Sequence, residues 1–133
     1  MTPLKDDRWC FACGPDNPHG LHLHGFRLEG EEYVVDFCPA RQHQGWQSLT
    51  HGGIVATLLD EVMTRLLYEQ ERNAVTAEMT VRYHRPLTTG VSVQARARVQ
   101  EDRGRLIRTS AELRDQSGEL IASAEGKFVL VRS

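Results

Sequence analysis

The residues best placed to do chemistry lie close together, in His51-Gly52-Gly53 and, nine residues after the histidine, Asp60-Glu61. Between and beyond them runs an apolar pattern at 54, 55, 58, 59, 62, 63, 66 and 67. Two interleaved i, i+4 rows make a helix whose stripe is too wide for a surface position, so something must wrap it. Thr50 or Ser48 is placed to cap its start. Gly52 and Gly53 let backbone or ligand approach the amides of its first turn, where the helix dipole favours an anion. A carboxylate inside an apolar helix costs free energy unless it is paired or used. Glu61 has Arg65 at i+4, the favourable orientation for a surface pair. Asp60 has no such partner, so it is the candidate for acid–base work.

A second group is Cys10-x-x-Cys13, followed by His19, His22 and His24. A closed zinc site needs four ligands. No second CxxC is present, and His22 and His24 alternate along an expected strand, so neither metal nor a redox dithiol is expected. The expected role is a small N-terminal turn with apolar thiols. Cys38, before Pro39, is expected in the core.

The elements that must hold these residues follow from period-2 patterns. Residues 1–20 read as an N-terminal loop extension of a single domain spanning 1–133. Leu21–Leu28 and Tyr33–Cys38 read as a strand pair. After the helix, alternation marks strands over 75–83, 91–99, 107–113 and 120–130, with turns at Asp102-Arg103-Gly104 and Asp115-Gln116-Ser117-Gly118. These four are expected as an antiparallel meander with one apolar face, and the helix is the only element that can cover it. The class is α+β: a long central helix wrapped by a curved antiparallel sheet of five to six strands. Its open edges favour pairing between copies.

With 133 residues, 26 % charged and a net charge of −2, composition fits one globular domain and gives no reason to expect nucleic acid or an anionic membrane. No apolar run is long enough to span a bilayer, the charged N-terminus is no signal peptide, and three cysteines make no disulfide framework. The expectation is a cytoplasmic protein with reduced thiols.

Several segments together resemble a known family, the hot-dog-fold acyl-CoA thioesterases of the PaaI-like branch. They are Cys10-Phe11-Ala12-Cys13-Gly14 with Asn17-Pro18-His19-Gly20-Leu21, then Gln44-Gly45, His51-Gly52-Gly53 and Asp60, then Thr76 to Tyr83 with Pro86. The resemblance implies hydrolysis of a small or medium acyl- or aryl-CoA, with no metal and no cofactor beyond the coenzyme A of the substrate. It also implies a homodimer, or a homotetramer, with active sites at the subunit interface. The catalytic carboxylate falls on Asp60, acting as base or nucleophile. The oxyanion-binding amide falls on Gly52, and the water-orienting hydroxyl on Thr76. His51 positions the turn through its ring. Some members carry an Asn where this chain has Gly45, so Gln44 beside it is the substitute for polarising the thioester.

Gln44, Gly45, Gly53 and Arg82 are the substrate-contact candidates. Arg82 belongs to a set with Arg85, Arg96, Arg98, Arg103, Arg105 and Arg108, on polar faces or turns of the later strands. These arginines suit a solvated sheet face, a contact between dimers or a grip on phosphates. Thr76 is the least anchored residue. By alternation it lies on the polar face with Val75 and Ala77 opposite, so only the resemblance aims it at Asp60, across a subunit boundary or through a local bulge.

Two rival readings remain. A branch of the fold that hydrates enoyl-CoA uses Asp-x-x-x-x-His, but here the fifth residue after Asp60 is Arg65. An acyl-CoA-binding regulator would need a DNA-binding or other output domain, for which 133 residues leave no room, whereas a bare acyl-CoA sensor without output stays open.

Overall fold

A computed structural model describes residues 4–131. The element order is β1 (Arg27–Glu29), β2 (Glu32–Phe37), α1 (Gly52–Glu69), β3 (Ala74–Tyr83), β4 (Val93–Asp102), β5 (Leu106–Asp115) and β6 (Leu120–Leu130), with a 3₁₀ turn at Arg41–His43 before α1. The six strands form one antiparallel sheet in the order β1-β2-β4-β5-β6-β3. Helix α1 packs across it. Val55, Leu58, Leu59, Val62, Met63, Leu66 and Leu67 of α1 are at most 3 % exposed. Each such side chain contributes roughly 1.5–3 kcal/mol as an upper estimate. Among the described residues, no helix is long and apolar enough to cross a membrane.

The sheet face under α1 is built largely from small side chains. Ala95, Ala97, Ala111, Ala122 and Ala124 are all buried there, and Gly126 joins them. They let the helix lie close while Ile107, Leu113 and Phe128 fill the flanks. Gly126 is the tightest point. A Cβ there would sit 2.8 Å from Phe128 Cε1, 3.1 Å from Thr109 Oγ1 and 3.2 Å from Met63 Cε. Thr109 in turn donates its hydroxyl to Met63 Sδ at 3.0 Å, so a buried polar group is satisfied by the helix.

The sequence expectation of a helix wrapped by six antiparallel strands is met, with four differences. First, the segment Leu21–Phe26 is not a strand. Leu21 and Leu23 donate their amides to Phe11 and Ala12 of the N-terminal loop, and His22 and Gly25 take positive φ (54° and 76°), which breaks the extended run. Second, the last four strands are not a simple meander. β3 pairs with β6 and forms the far edge, while the chain crosses over to place β4 beside β2. Pro86 ends β3, and the crossing is pinned where Thr50 donates to Leu87 O (2.7 Å) and Gly90 to Pro39 O (2.7 Å).

Third, β3 has a bulge. Its register with β6 shifts between Thr76 and Glu78. Before the shift Thr76 stands opposite buried Phe128; after it Met79, Val81 and Tyr83 stand opposite Gly126, Ala124 and Ala122. The inward face therefore changes from even to odd residues across Ala77. Val75, expected on the apolar face, is 39 % exposed. Fourth, Cys38 is exposed rather than in the core.

Because Gly126 has so little room, Gly126→Ala should cost ~1–3 kcal/mol, the range for overpacking a filled core. A urea titration reads this as a lower midpoint at unchanged m-value; an unshifted midpoint would show that the helix is free to move away.

Candidate active site

α1 begins by an unusual cap. His51, not Thr50 or Ser48, is the N-cap, and its ring Nδ1 accepts the Gly53 amide at 2.8 Å. An imidazole nitrogen that accepts is unprotonated, in keeping with the positive end of a helix dipole. The ring thereby holds the turn at the helix start by a specific bond. Its ring also lies against Gly45, where a Cβ would come within 3.3 Å of Cδ2. The His51 amide donates to His43 O (2.8 Å), tying the 3₁₀ turn to the helix start.

With the Gly53 amide used by the cap, the Gly52 amide meets no acceptor among the described residues. The Gly52 carbonyl is held instead: the Tyr83 hydroxyl donates to it at 2.9 Å. In the sequence Tyr83 reads only as the last residue of an alternating strand. It lies at the end of β3, and only the pairing of that strand alongside α1 brings it to the helix start.

Two turns further along α1, the Thr76 hydroxyl donates to Asp60 Oδ1 at 2.7 Å. The bulge at Ala77 makes this contact by turning Thr76 inward, so both partners belong to one chain. Asp60 is half-buried, on a strip with Ala56, Thr57 and Thr64 that faces the β3 edge. The carboxylate's second oxygen accepts no hydrogen bond from the described residues and is available to a water.

Glu61 differs from expectation. It is no surface residue: it is 7 % exposed and accepts the Cys10 thiol at 3.2 Å. Arg65 is not its salt-bridge partner; the guanidinium lies 5.2 Å from the Phe26 ring centre and 5.1 Å from that of Tyr68. Cys13 completes the cluster. Burial, followed by hydrogen bonding to Glu61 and the charge of that carboxylate, pushes the Cys13 thiol well above its ordinary value.

The other candidates divide. Gln44 closes the loop before α1, its side-chain Oε1 accepting from the Ser48 amide (3.2 Å), which leaves the side-chain NH₂ as a donor. Gly45 and Gly53 lie at the helix start with it. Arg82 does not join them. It is exposed, and lies between the inward-facing Val81 and Tyr83, hence on the outer sheet face beside Ser110, Glu112 and Ser123. Arg85 pairs with Glu119, Arg96 with Glu29 and Glu32, and Arg103 and Arg108 with Glu101. These exposed pairs add little stability, at most about 1 kcal/mol each.

The site therefore has an unsatisfied amide at a helix start and a hydroxyl-held carboxylate further along. The sequence pattern of the thioesterase superfamily matches residues 47–122, the segment holding every one of these groups. The chain belongs to the thioesterase superfamily. Among its relatives, mouse acyl-coenzyme A thioesterase 13 is 30 % identical over 95 residues, 69 % of this chain and 68 % of that protein. A probable enoyl-CoA hydratase alpha subunit of Thermomonospora curvata is 30 % identical over 141 residues, 93 % of this chain and 43 % of that protein. The present chain thus spans less than half of that relative. A variant of the phenylacetic acid degradation protein PaaI from Thermus thermophilus superposes with a TM-score of 0.75 at 27 % identity, over 84 % of this chain and 95 % of that one. The wrapped helix is the hot-dog fold of these thioesterases.

If the His51 ring is the cap, His51→Ala should lose ~0.5–2 kcal/mol of stability and His51→Asn should recover most of it. Thermal melts of the two variants separate this from a passive ring: equal Tm values for Ala and Asn would remove the cap.

Proposed function

We propose that the protein hydrolyses an acyl-CoA thioester to the free acid and coenzyme A. The observation that carries this is the Thr76–Asp60 hydrogen bond on a thioesterase-superfamily helix whose first amide is unsatisfied. A thioester carbon is electrophilic enough for attack by a positioned water. Asp60 takes the proton from that water, or attacks the carbon itself to give an anhydride that water then opens. The Thr76 hydroxyl fixes the carboxylate so that its free oxygen meets the nucleophile. As the carbonyl becomes tetrahedral, its oxygen gains charge, and the Gly52 amide at the positive end of α1 receives it. The thiolate of coenzyme A leaves.

One chain does not complete this arrangement. Gly52 and Asp60 are eight residues apart on α1, about 12 Å along the axis at 1.5 Å per residue. A reacting carbonyl must lie within about 3–3.5 Å of its attacker, with its oxygen at an amide. Gly52 of a second copy, its helix antiparallel to the first, supplies the missing amide. Two features support such pairing. β3 is an edge strand with unpaired backbone groups, and Val75 and Tyr83 on it are 39 % and 55 % exposed. Trp46, one residue beyond Gly45, is 84 % exposed. A homodimer with two composite sites, alone or as half of a tetramer, is the assembly this reading requires. No metal takes part in the reaction as proposed. Gln44, Gly45 and Gly53 lie where the thioester enters. The coenzyme's phosphates fall to arginines of the partner or of the outer sheet face, Arg82 among them.

A second reading, enoyl-CoA hydration, is favoured by the name of the Thermomonospora relative. Against it, the position five residues after Asp60 holds Arg65, stacked on two aromatic rings and never a base at neutral pH. The two readings separate in one assay: with a short enoyl-CoA, a thioesterase releases free thiol, whereas a hydratase consumes the conjugated double bond and releases none.

Asp60→Asn should reduce kcat for acyl-CoA hydrolysis by ~10²–10⁴-fold, the usual worth of a positioned base or nucleophile. Thr76→Ala should reduce it ~10–100-fold with little change in KM, and Thr76→Ser should retain most activity, because one charge-assisted hydrogen bond is at stake. Thiol-release kinetics on the folded variants decide; wild-type rates in Asp60→Asn contradict the proposal. Sedimentation should find no active monomer. Full turnover by a monomeric species would remove the composite site.

A further inference from the structure

The N-terminal loop has no place in the hydrolysis proposed above, yet its cysteines end beside a buried carboxylate. One donor atom each from Cys10, Cys13 and Glu61 lie within 4.8 Å of one another. We infer that these three residues form a binding site for a thiophilic divalent cation of the zinc class, fastening the loop to helix α1. This goes beyond the hydrolase reading and does not depend on it.

Four observations carry it. The first is the shape of the loop. The Cys13 amide points at Cys10 Sγ (3.5 Å), and Gly14 donates to Cys10 O (2.8 Å). This folds Cys-x-x-Cys-Gly into a tight turn with both sulfurs on one side, and an amide aimed at sulfur suits a thiolate better than a thiol. Gly14 is required by that turn: a Cβ would come within 2.4 Å of Cys10 N and 2.6 Å of Arg8 O.

The second is Glu61 itself. It is 7 % exposed, and among the described residues no Lys, Arg or His reaches it as a salt-bridge partner. It accepts its hydrogen bond from a thiol, a weak donor. A buried carboxylate so poorly matched is costly. A divalent cation bonded to it and to two thiolates leaves the cluster with a net charge of −1, the same as the carboxylate beside two protonated thiols, so the carboxylate gains a directly bonded cation at no added charge.

The third is donor type. Two sulfurs and one carboxylate oxygen suit a tetrahedral zinc-class ion and not a hard cation such as magnesium or calcium, which takes oxygen ligands. The fourth is access. The cluster lines a pocket of about 340 Å³ whose charged lining is mixed, Asp6 and Asp7 beside Lys5, Arg65 and Arg72, with room for a cation and for a water as the fourth ligand. The expectation of no metal rested on the want of ligands beyond CxxC; Glu61 comes from another element, 48 residues after Cys13 in sequence. On binding, the two thiols release their protons to solvent and form two metal–sulfur bonds, with no change of oxidation state.

The test uses the full chain without a polyhistidine tag, reduced with a non-chelating phosphine and stripped with EDTA. Zinc(II) alone is then added in competition with a chromophoric chelator. The expected result is uptake of one zinc per chain with a Kd of ~1 µM or tighter, and a rise in Tm on loading. Cys10→Ser and Cys13→Ser should each weaken uptake by ~100-fold or more and Glu61→Gln by ~10-fold or more, since each removes a direct ligand. Cobalt(II) bound to the unmutated chain reads the ligands even where a variant does not fold: a tetrahedral ligand field with thiolate charge transfer supports the site. Three results overturn it. They are no stoichiometric uptake by the reduced chain, uptake unchanged in the cysteine variants, or an octahedral cobalt spectrum without a thiolate band.

Discussion

Everything in this molecule depends on burying helix α1 inside a curved sheet. The helix offers two rows of apolar side chains, and one sheet face of alanines and a glycine accepts them at close range. That closeness gives the core its contact, because dispersion and water exclusion both fall away with a gap of even part of an ångström. It also imposes a cost. Any charged side chain on such a helix must find partners within the same narrow space. Asp60 and Glu61 are adjacent in sequence and point some 100° apart around the axis. The fold treats them in opposite ways. Glu61 turns under the N-terminal loop and is sealed against Cys10. Asp60 turns towards the β3 edge and stays accessible, held by one hydroxyl.

The same constraint explains why β3 is irregular. A strand beside the helix that kept strict alternation would present Val75 and Ala77 inward and Thr76 outward. The bulge at Ala77 exchanges them at that point alone, then restores an apolar inward face of Met79, Val81 and Tyr83. One extra residue therefore turns a packing strand into a strand that carries a polar contact where the helix has a carboxylate. The exposed Val75 left over lies on the open edge, where a second copy can cover it. The Thr76–Asp60 contact and the exposed Val75 are thus two consequences of one backbone irregularity.

The fold was legible because its signals are periodic. A wide apolar stripe with a 3.6 period and long runs with a 2 period survive any local exception. The errors fell where periodicity carries no information. Strand neighbours after a crossover are a matter of topology: a meander puts β3 beside β4, whereas β3 pairs with β6. Leu21–Phe26 alternates like a strand but donates its amides to a loop. At the site, spacing along the helix singles out Gly52 and Asp60, only the resemblance singles out Thr76, and the partner of Glu61 is not legible at all. An i+4 arginine is a local signal, and it pointed to Arg65. The actual partner is a thiol 51 residues earlier. Tyr83 was missed for the same reason, since its bond to Gly52 spans 31 residues.

These long-range bonds also show how the two ends of the site are kept in step. α1 and β3 run antiparallel, with Tyr83 at Gly52 and Thr76 at Asp60. The strand is thereby fixed to the helix at two points on either side of the apolar residues Met79 and Val81. A shift of β3 by one residue would break both bonds and turn its apolar set outward, so register is enforced twice, once by polar and once by apolar contacts. The Gly52 turn and the Asp60 carboxylate lie on the same helix, and each is braced by the same strand. In the dimer proposed above, paired through the β3 edges, the geometry between the amide of one copy and the carboxylate of the other would be set by a strand–strand contact rather than by loops. A catalytic arrangement divided between subunits can keep sub-ångström placement only if the contact between them is itself regular. The edge strand that carries both braces is the element that meets this requirement.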